Sequence, residues 1–226
     1  MTFFTGIKKI VAPFRFKVIK KYNTQKNITL LDVGCGNNSY LLSKKWLPLG
    51  AYHGIDKEFW HGNEADYKTM DKVFFIDVEN DLNKLSEVEN DTYDVIIVAY
   101  IIEHIINAYE VLEALIPKLK KGGLIYVEAP NPKTLGMPPA VGFANFNDDP
   151  THVQIYDYFS ISHMFLKSGM KIERAGTRRD WFRIFFFTPI GILMNLFYYI
   201  PFKQKLSAIG LWDFLGISFY VVARKK

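Results

Sequence analysis

Residues 28–38 read ITLLDVGCGNN: an apolar run with an acid near its end, then two glycines separated by one residue. The apolar run 28–33 is typical of a buried β-strand. Gly34 and Gly36 allow the backbone to turn sharply and to approach a ligand closely. A helix is predicted next, over residues 38–47, so the segment has the order strand, turn, helix.

Strand and helix patterns alternate along the rest of the chain. Six more strands are predicted, at residues 51–55, 73–76, 93–99, 124–128, 171–175 and 217–222. Further helices are predicted at 107–120, ended by two glycines, and at 156–168. This alternation predicts the α/β class: a Rossmann-like sheet of seven mostly parallel strands with helices on both faces. Ligands of such sheets bind beyond the carboxyl ends of the strands.

Acidic residues stand at the ends of the second and third predicted strands. Asp56 follows the glycines by about 20 residues, where a carboxylate can accept hydrogen bonds from both hydroxyls of a ribose. Asp77 ends the third strand and can accept from an exocyclic amine. A nicotinamide cofactor is disfavoured, because its turn would carry a third glycine where Ser39 stands and would rarely carry an acid at position 32.

Five stretches taken together resemble a class I S-adenosylmethionine-dependent methyltransferase. They are LLDVGCGNN, Asp56, Asp77, YDVIIVAYIIEHI and LKKGGLIYVEAPNP. The resemblance covers roughly residues 28–176 and is to the small-molecule branch, which includes methyltransferases of quinone biosynthesis and of polysaccharide clusters. Asn38 departs from the family, which commonly has a third glycine there.

The resemblance implies that S-adenosylmethionine is the cofactor and that residues after the first four strands bind it. These residues are Asp32, Gly34, Cys35, Gly36, Asp56, Asp77, Val78, Ala99 and Tyr100. The glycine turn with Asp32 and Cys35 is expected to hold the methionine part, and Asp56 the ribose. Asp77 and Val78 are expected to border the adenine, and Ala99 and Tyr100 to lie beside the reacting methyl group.

Two histidines are the candidate catalytic residues, because a hydroxyl acceptor must lose its proton during methyl transfer. His152 lies in a polar loop, residues 131–157, that commonly covers the acceptor in this family. It is interpreted either as a base or acceptor ligand or as a hydrogen-bond donor that anchors the loop. His104 follows Glu103 after the fourth strand, a pair that in the family is often structural. The five histidines show no metal-ligand spacing, so no metal is expected.

The net charge of +5 is distributed unevenly. Residues 1–31 carry seven basic residues and no acid, residues 32–166 carry 10 basic and 20 acidic ones, and residues 167–226 carry 11 basic and three acidic ones. Basic ends are attracted to phosphates, nucleic acid or anionic lipid headgroups, although lysines on ordinary surface helices give the same pattern. Nucleic acid is disfavoured as a partner, because the body that lines the site is acidic.

Residues 184–202 contain no charged residue and are flanked by Arg178, Arg179 and Arg183 and by two lysines. A single membrane span is disfavoured, because pairing of the sixth and seventh strands puts both ends of this segment on one side of a bilayer. Pro189 and Pro201 are expected to break it into short pieces. Three interpretations remain open: a cap over the substrate site, a membrane-docking element with the flanking basic residues near headgroups, and a dimer interface.

The predicted organisation is a basic N-terminal helical arm, residues 1–27, with its helix interrupted at Pro13, followed by a methyltransferase domain, residues 28–226. Residues 181–211 form an apolar helical insertion in that domain. The lone Cys35 and the absence of a secretory pattern favour a cytoplasmic location, with contact at the inner membrane face left open.

The predicted activity is methyl transfer to an oxygen of a small, saccharide or lipid-linked acceptor. Two other classes stay open: a non-catalytic, membrane-docking protein on the same fold, and a nicotinamide-dependent oxidoreductase.

Overall fold

In the computed structural model, the described residues are 12–36, 39–58, 67–139, 144–199 and 210–226. Seven strands form one sheet in the order β3-β2-β1-β4-β5-β7-β6. The strands are β1 Ile28–Val33, β2 Leu49–Asp56, β3 Lys72–Phe75, β4 Tyr93–Ala99, β5 Leu119–Pro130, β6 Lys171–Thr177 and β7 Ser218–Arg224. All neighbouring pairs are parallel except those of β7, which runs antiparallel to both β5 and β6. The predicted fold class is confirmed.

The strand order reverses between β1 and β4, which lie side by side in the middle of the sheet. From β1 the chain proceeds to β2 and β3 on one side, and from β4 to β5 on the other. The loops after β1 and β4 therefore diverge and leave a crevice at the carboxyl edge of the sheet. Every predicted cofactor residue lies at or next to this edge.

Helices cover both faces of the sheet. The helices of the main body are α1 Phe14–Tyr22, α2 Ser39–Trp46, α3 Ala108–Leu115 and α4 Tyr158–Lys167. One apolar core contains residues from α1 and α2, together with Val95 and Ile97 of β4. A second core contains residues from α3 and α4, together with Ile96 and Val98. Successive side chains of a strand point to opposite faces, so β4 is apolar from Val95 to Ala99 because both of its faces are buried there.

The helix predicted at residues 107–120 is shorter, and this prediction of its end was wrong. The α-helix stops at Leu115, and a 3₁₀ turn, Ile116–Lys118, leads directly into β5 at Leu119. Pro117 lacks the N–H that the next helical hydrogen bond would need. The Lys118 ammonium group donates to the carbonyl of Val88 at 2.7 Å, which holds the turn against a neighbouring loop.

Gly122 and Gly123 belong to β5 and do not cap a helix. Gly122 has a φ of 81°, which favours glycine. A Cβ at Gly123 would lie 2.9 Å from the carbonyl oxygen of Tyr93, so the two backbones approach too closely for a side chain. The register between β4 and β5 shifts at this point, between Tyr93 and Val95. The glycines thus permit an irregularity in the strand pairing.

Pro13 is the N-cap residue of a helix and does not interrupt one. The Pro13 carbonyl accepts hydrogen bonds from the N–H groups of Phe16 and Lys17 at 3.0 and 3.2 Å, and α1 starts at the next residue. The upstream half of the predicted helix, residues 7–11, lies outside the described residues. Phe16 and Ile19 of α1 are fully buried against the sheet, although the segment was predicted as an arm.

The insertion between β6 and β7 begins with α5 Trp181–Met194, continues as a π-helical turn, Asn195–Tyr199, and ends with the short α6 Trp212–Leu215. Helix α5 continues through Pro189, so the predicted break there was wrong. Pro201 lies outside the described residues. Among the described helices, none is both long and apolar enough to cross a bilayer.

Candidate active site

The turn after β1 is held against the end of β2 by its backbone. The N–H groups of Gly34 and Cys35 both donate to the carbonyl of Ile55, at 2.8 and 3.1 Å. Gly34 has a φ of 72°, and a Cβ there would collide with the side chain of Ile101. Glycine is therefore required at this position both by backbone conformation and by space.

Asp56 joins the ends of β1 and β2. Its Oδ2 accepts a hydrogen bond from the N–H of Gly36 at 2.8 Å, and its Oδ1 accepts from the N–H of Lys57 at 2.9 Å. Among the described residues, the atoms nearest to a Cβ at Gly36 would be the Gly34 carbonyl oxygen at 3.9 Å and the Asp56 Oδ2 at 4.0 Å, so the turn is not tightly packed at this point. Two backbone N–H groups orient the Asp56 carboxylate. A carboxylate held in this way can accept hydrogen bonds from the ribose hydroxyls of S-adenosylmethionine.

Asp32 lies beneath the turn and is almost fully buried. Its Oδ2 accepts hydrogen bonds from the hydroxyls of Ser39 and Tyr52, at 2.5 and 2.7 Å. Burial raises the pKa of Asp32 above its usual value. Ser39, which stands where a dinucleotide-binding turn would have glycine, thus orients the acid of the turn.

Cys35 is fully buried, and its side chain packs against β2. A Cβ at Gly54 would lie 2.5 Å from the Cys35 sulfur, so Gly54 makes room for the thiol. The Cys35 side chain therefore fills space in the core as a small residue.

Asp77 and Val78 follow β3, on the same edge of the sheet. The Asp77 carboxylate accepts from the backbone N–H groups of Glu79 and Asn80, at 3.1 and 3.2 Å, and from the Asn80 side chain. The Asn80 side-chain hydrogen bond is the main cause that lowers the pKa of Asp77. Val78 is buried in the second core. Their proposed contact with adenine stays a prediction.

Ala99 ends β4, and Tyr100 follows it with a φ of 59°, unusual for a residue with a side chain. The Tyr100 N–H donates to the carbonyl of Glu128 at 2.8 Å. The Tyr100 hydroxyl donates to the Glu128 carboxylate at 2.9 Å and lies 2.9 Å from the hydroxyl of Ser218. The strained backbone thus directs the Tyr100 side chain toward the end of β5 and the start of β7.

Behind Tyr100 lies a buried network that sequence reasoning missed. Arg178 donates to the Glu128 carboxylate at 2.9 Å and to the Asp213 carboxylate at 3.1 Å. It also donates to the Tyr100 hydroxyl at 3.1 Å. The idea that Arg178 faces headgroups was wrong, because its side chain is 13% exposed and neutralises two buried acids. The one sign of this network in the sequence was Glu128, an acid at the end of an apolar predicted strand.

The two candidate catalytic histidines, His104 and His152, lie 48 positions apart in the chain, and the fold brings them together. The Glu103 carbonyl accepts from the N–H of Val153 at 2.9 Å, which fastens the loop carrying His152 to the 3₁₀ turn Ile102–His104. The two imidazole centroids are 4.9 Å apart.

Each histidine uses Nδ1 for a structural contact. His152 Nδ1 lies 2.7 Å from the carbonyl of Phe146, and His104 Nδ1 lies 3.2 Å from the carbonyl of Thr151. A carbonyl can only accept, so Nδ1 carries the proton in both neutral rings and Nε2 keeps its lone pair. Burial is the main cause that lowers the pKa of His104, which favours the neutral ring.

Glu103 was predicted as a structural partner, and the structure gives it a more unusual environment. Its side chain is 1% exposed, and neither carboxylate oxygen has a hydrogen-bond partner among the described residues. Burial raises its pKa to about 8. Glu103, His104 and His152 each offer one ligating atom, and these atoms lie within 4.8 Å of one another, a set able to hold a metal ion. Sequence spacing gave no sign of this cluster.

These side chains line a cavity of about 180 Å³, partly open to solvent, at the carboxyl edge of β4 and β5. Tyr100, Glu103, His104 and His152 form its polar side. The other lining residues include Pro130, Phe146, Trp212 and Ile217. The cavity therefore combines apolar side chains with the cluster of Glu103, His104 and His152, and Phe146 packs against His152 with ring centroids 4.6 Å apart.

A family model described as "Methyltransferase domain" matches residues 8–175 of the chain. The chain belongs to this family. The match agrees with the fold, the glycine turn and the acid at the end of β2, and it confirms the resemblance to the class I S-adenosylmethionine-dependent methyltransferases. Enzymes of that family use S-adenosylmethionine as the cofactor, and so does this member.

Two curated relatives are ubiquinone biosynthesis O-methyltransferases. The one from Hydrogenovibrio crunogenus is 25% identical over 129 residues, which cover 54% of this chain and 50% of the relative. The one from Paraburkholderia xenovorans is 29% identical over 121 residues, which cover 53% and 51%. The chain thus matches about half the length of these relatives.

Solved structures share the fold at low identity. An S-adenosylmethionine-dependent methyltransferase from Archaeoglobus fulgidus has a TM-score of 0.55 and 17% identity, with 100% of both chains covered. A Haemonchus contortus N-methyltransferase in complex with S-adenosylhomocysteine has a TM-score of 0.62 and 14% identity, covering 93% of this chain and 52% of that one.

Proposed function

We propose that this protein transfers a methyl group from S-adenosylmethionine to a hydroxyl oxygen of a small acceptor bound in the cavity beside Tyr100. The observation that carries the proposal is the cluster of Glu103, His104 and His152 on the cavity wall. A hydroxyl acceptor must lose a proton, whereas an amine acceptor needs only to be neutral when it attacks. The similarity to O-methyltransferases gives independent support.

His152 is the proposed proton acceptor. Its Nδ1 contact to Phe146 leaves the Nε2 lone pair available. The Asp149 carboxylate lies 3.9 Å from that Nε2 atom, so a negative charge stands beside the proposed proton acceptor. Hydrogen bonds from the Thr151 side chain and backbone lower the pKa of Asp149, so Asp149 stays ionised at neutral pH.

The other residues position the reactants. Asp56 and the Gly34–Gly36 turn are proposed to bind the cofactor, with Asp32 beneath the turn, and Asp77 and Val78 are proposed to border the adenine. Ala99 and Tyr100 are proposed to separate the cofactor crevice from the acceptor cavity. S-adenosylmethionine supplies an activated methyl group when bound, so the protein contributes mainly alignment and removal of the proton.

The acceptor class follows from the cavity walls. An apolar wall that includes Phe146, Trp212 and Ile217 suits an aromatic or aliphatic body. We propose a small hydroxyl compound, with or without an attached lipid or saccharide, as the acceptor.

The test uses the full chain, methyl-labelled S-adenosylmethionine and matched acceptor pairs. Each pair contains a phenol or alcohol and the corresponding amine, with and without a hydrophobic tail. We expect label to enter the hydroxyl compounds, and His152→Ala to lower turnover more than tenfold while cofactor binding by calorimetry is unchanged. His163→Ala is the matched control, because His163 is exposed on α4.

Transfer only to amines, or near-normal turnover of the His152 variant, contradicts the proposal. Cofactor binding without product from any acceptor favours the non-catalytic alternative. Activity that disappears with a chelator and returns with a divalent cation assigns the cluster to metal binding in place of proton transfer.

A further inference from the structure

Helix α5 buries its small and polar residues and exposes its large apolar ones. The buried residues are Thr188 and Gly191 of α5, with Asn195 on the same side at the start of the π-helical turn that follows. The Thr188 hydroxyl donates to the carbonyl of Gly210 at 3.3 Å, and the Asn195 amide donates to the carbonyl of Gly191 at 2.8 Å. A helix adapted to water has the opposite arrangement.

We call the exposed apolar residues between positions 185 and 197 the α5 ridge. The most exposed of them are Phe185 at 71%, Phe186 at 62% and Phe197 at 74%, with Ile190, Leu193 and Leu196 each more than half exposed. At 3.6 residues per turn, the exposed apolar residues of this segment occupy roughly 220° of the helix circumference. Contiguous apolar surface of this kind marks an interaction site.

Positive charge lies beside the start of α5. Lys17 of α1 forms a salt bridge of 2.7 Å with Asp180, which caps α5, and lies 5.8 Å from the ring of Phe182. Helix α1 also carries Arg15, Lys20 and Lys21, has no acidic residue, and exposes both Lys20 and Lys21. The helix that carries the apolar ridge thus begins beside a cationic helix, a combination that suits an anionic bilayer surface.

We propose that the α5 ridge inserts into the interfacial region of an anionic lipid bilayer, with α5 lying in the plane of the surface. A helix of 14 residues is about 21 Å long, shorter than the hydrocarbon core of about 30 Å. Pairing of β6 with β7 holds the two ends of the insertion at neighbouring strands, which agrees with an element that enters and leaves on one side.

A lipid phase fits the ridge better than a second copy of the chain. A flat protein surface contacts about half of a helix circumference or less, whereas lipid surrounds a protruding ridge. The aromatic residues of the ridge, and the exposed Trp181 one turn before it, are the type that is enriched at membrane interfaces.

The docking orientation would place the acceptor cavity near the bilayer. Trp212 lines the cavity and belongs to α6, which packs against α5. The position of an acceptor cavity near the bilayer rests on the proposed function, whereas the docking of the α5 ridge does not.

Vesicle co-sedimentation of the full chain tests the proposal. The vesicles contain phosphatidylcholine alone or mixed with phosphatidylglycerol. We expect binding to the anionic vesicles, and a decrease of about tenfold in Phe186→Ser/Ile190→Ser, because both residues are exposed and contribute to membrane binding through apolar burial. Phe159→Ser/Leu166→Ser, with equally exposed residues on α4, is the matched control and is expected to bind normally.

A second pair of variants tests the charge. Lys20→Gln/Lys21→Gln is expected to weaken binding to anionic vesicles about tenfold, whereas Lys68→Gln/Lys167→Gln, at exposed positions elsewhere, is expected to change it little. Brominated lipid should quench tryptophan fluorescence in the wild type and much less in Trp181→Phe. None of these measurements requires methyl transfer, so a failed activity assay does not affect them.

Absence of binding to anionic vesicles at low salt overturns the proposal. It is also overturned if light scattering finds a dimer that Phe186→Ser/Ile190→Ser converts to monomer, since the ridge is then a protein interface. Equal binding of the α4 and α5 variants excludes the ridge as the contact.

Discussion

At the scale of single residues, Glu103 is the most unusual group in the site. An acid that is buried without a hydrogen-bond partner among the described residues is costly in its ionised form, and this burial raises its pKa to about 8. Such groups are concentrated at functional sites, since a fold without need for the charge would place an apolar residue there. Its position beside His104 and His152 supports a functional interpretation.

The raised pKa predicts how Glu103 affects stability. The folded protein holds this proton more tightly than the unfolded chain, whose pKa is 4.5, so Glu103 lowers the free energy of unfolding as pH rises from about 4.5 to about 8. The loss reaches a few kcal/mol at most, since each pKa unit corresponds to about 1.4 kcal/mol. Glu103→Gln should remove this dependence.

Urea unfolding of both proteins at pH 5 and pH 8.5 measures the effect. The variant is expected to gain stability relative to the wild type only at the higher pH, and Glu110→Gln, at an exposed position of α3, should behave as the wild type. Parallel stability profiles of the wild type and Glu103→Gln would show that Glu103 titrates normally.

At the scale of elements, one acid connects the insertion to the sheet. Asp213 of α6 is 3% exposed and accepts from Arg178, from Arg183 and from the N–H of Asp180, at 3.1, 2.8 and 3.2 Å. Arg178 follows β6 and also reaches Glu128 at the end of β5. The Asp213 carboxylate therefore connects α6 to the start of α5. Through Arg178, it also connects both helices to the end of β5 beside the cavity.

Asp213→Asn should loosen the insertion. Loss of one partner from a buried ion pair leaves the other charge uncompensated, which costs about 3 kcal/mol. We expect a lower melting temperature and faster limited proteolysis between β6 and β7. Asp91→Asn, which removes an exposed partner of Lys225, is the control and should change stability by less than about 1 kcal/mol. Equal protection of insertion and body in Asp213→Asn would refute this connection.

At the scale of the whole molecule, the central sheet is buried on both faces and α1 forms part of one cover. Phe16 and Ile19 are 0% and 1% exposed and join the core that contains Leu30 and Tyr52. Arg224 of β7 donates to the carbonyl of Tyr22 at 2.7 Å, which fastens the end of α1 to the last strand. The basic segment therefore belongs to the body from at least Phe14 onward.

Phe16→Ala should destabilise the whole fold. Truncation of a fully buried phenylalanine leaves a cavity and costs about 3 to 5 kcal/mol. Phe159→Ala, at a position 70% exposed, should stay within about 0.5 kcal/mol of the wild type. A Phe16 variant that unfolds at the wild-type urea concentration would show that α1 is an independent arm.

The periodicity of the sequence predicted β1 and β4 with the boundaries that the structure has, because strands buried on both faces read as continuous apolar runs. It misplaced the end of α3, because the Lys-rich segment before Gly122 also suits a helix terminus, and pairing with β4 decides between the two. The break predicted at Pro189 was also wrong, since α5 continues through this residue.

The sequence by itself determined the order of strands and helices, the glycine turn after β1 and the acid after β2, because these depend on residues that are near one another in the chain. Only the tertiary structure brought Glu103 and His104 to His152, joined Arg178 to Glu128 and Asp213, and turned the apolar residues of α5 outward. Those contacts join residues far apart in the chain. They form only when strand pairing and helix packing bring distant segments together, and no local pattern encodes them.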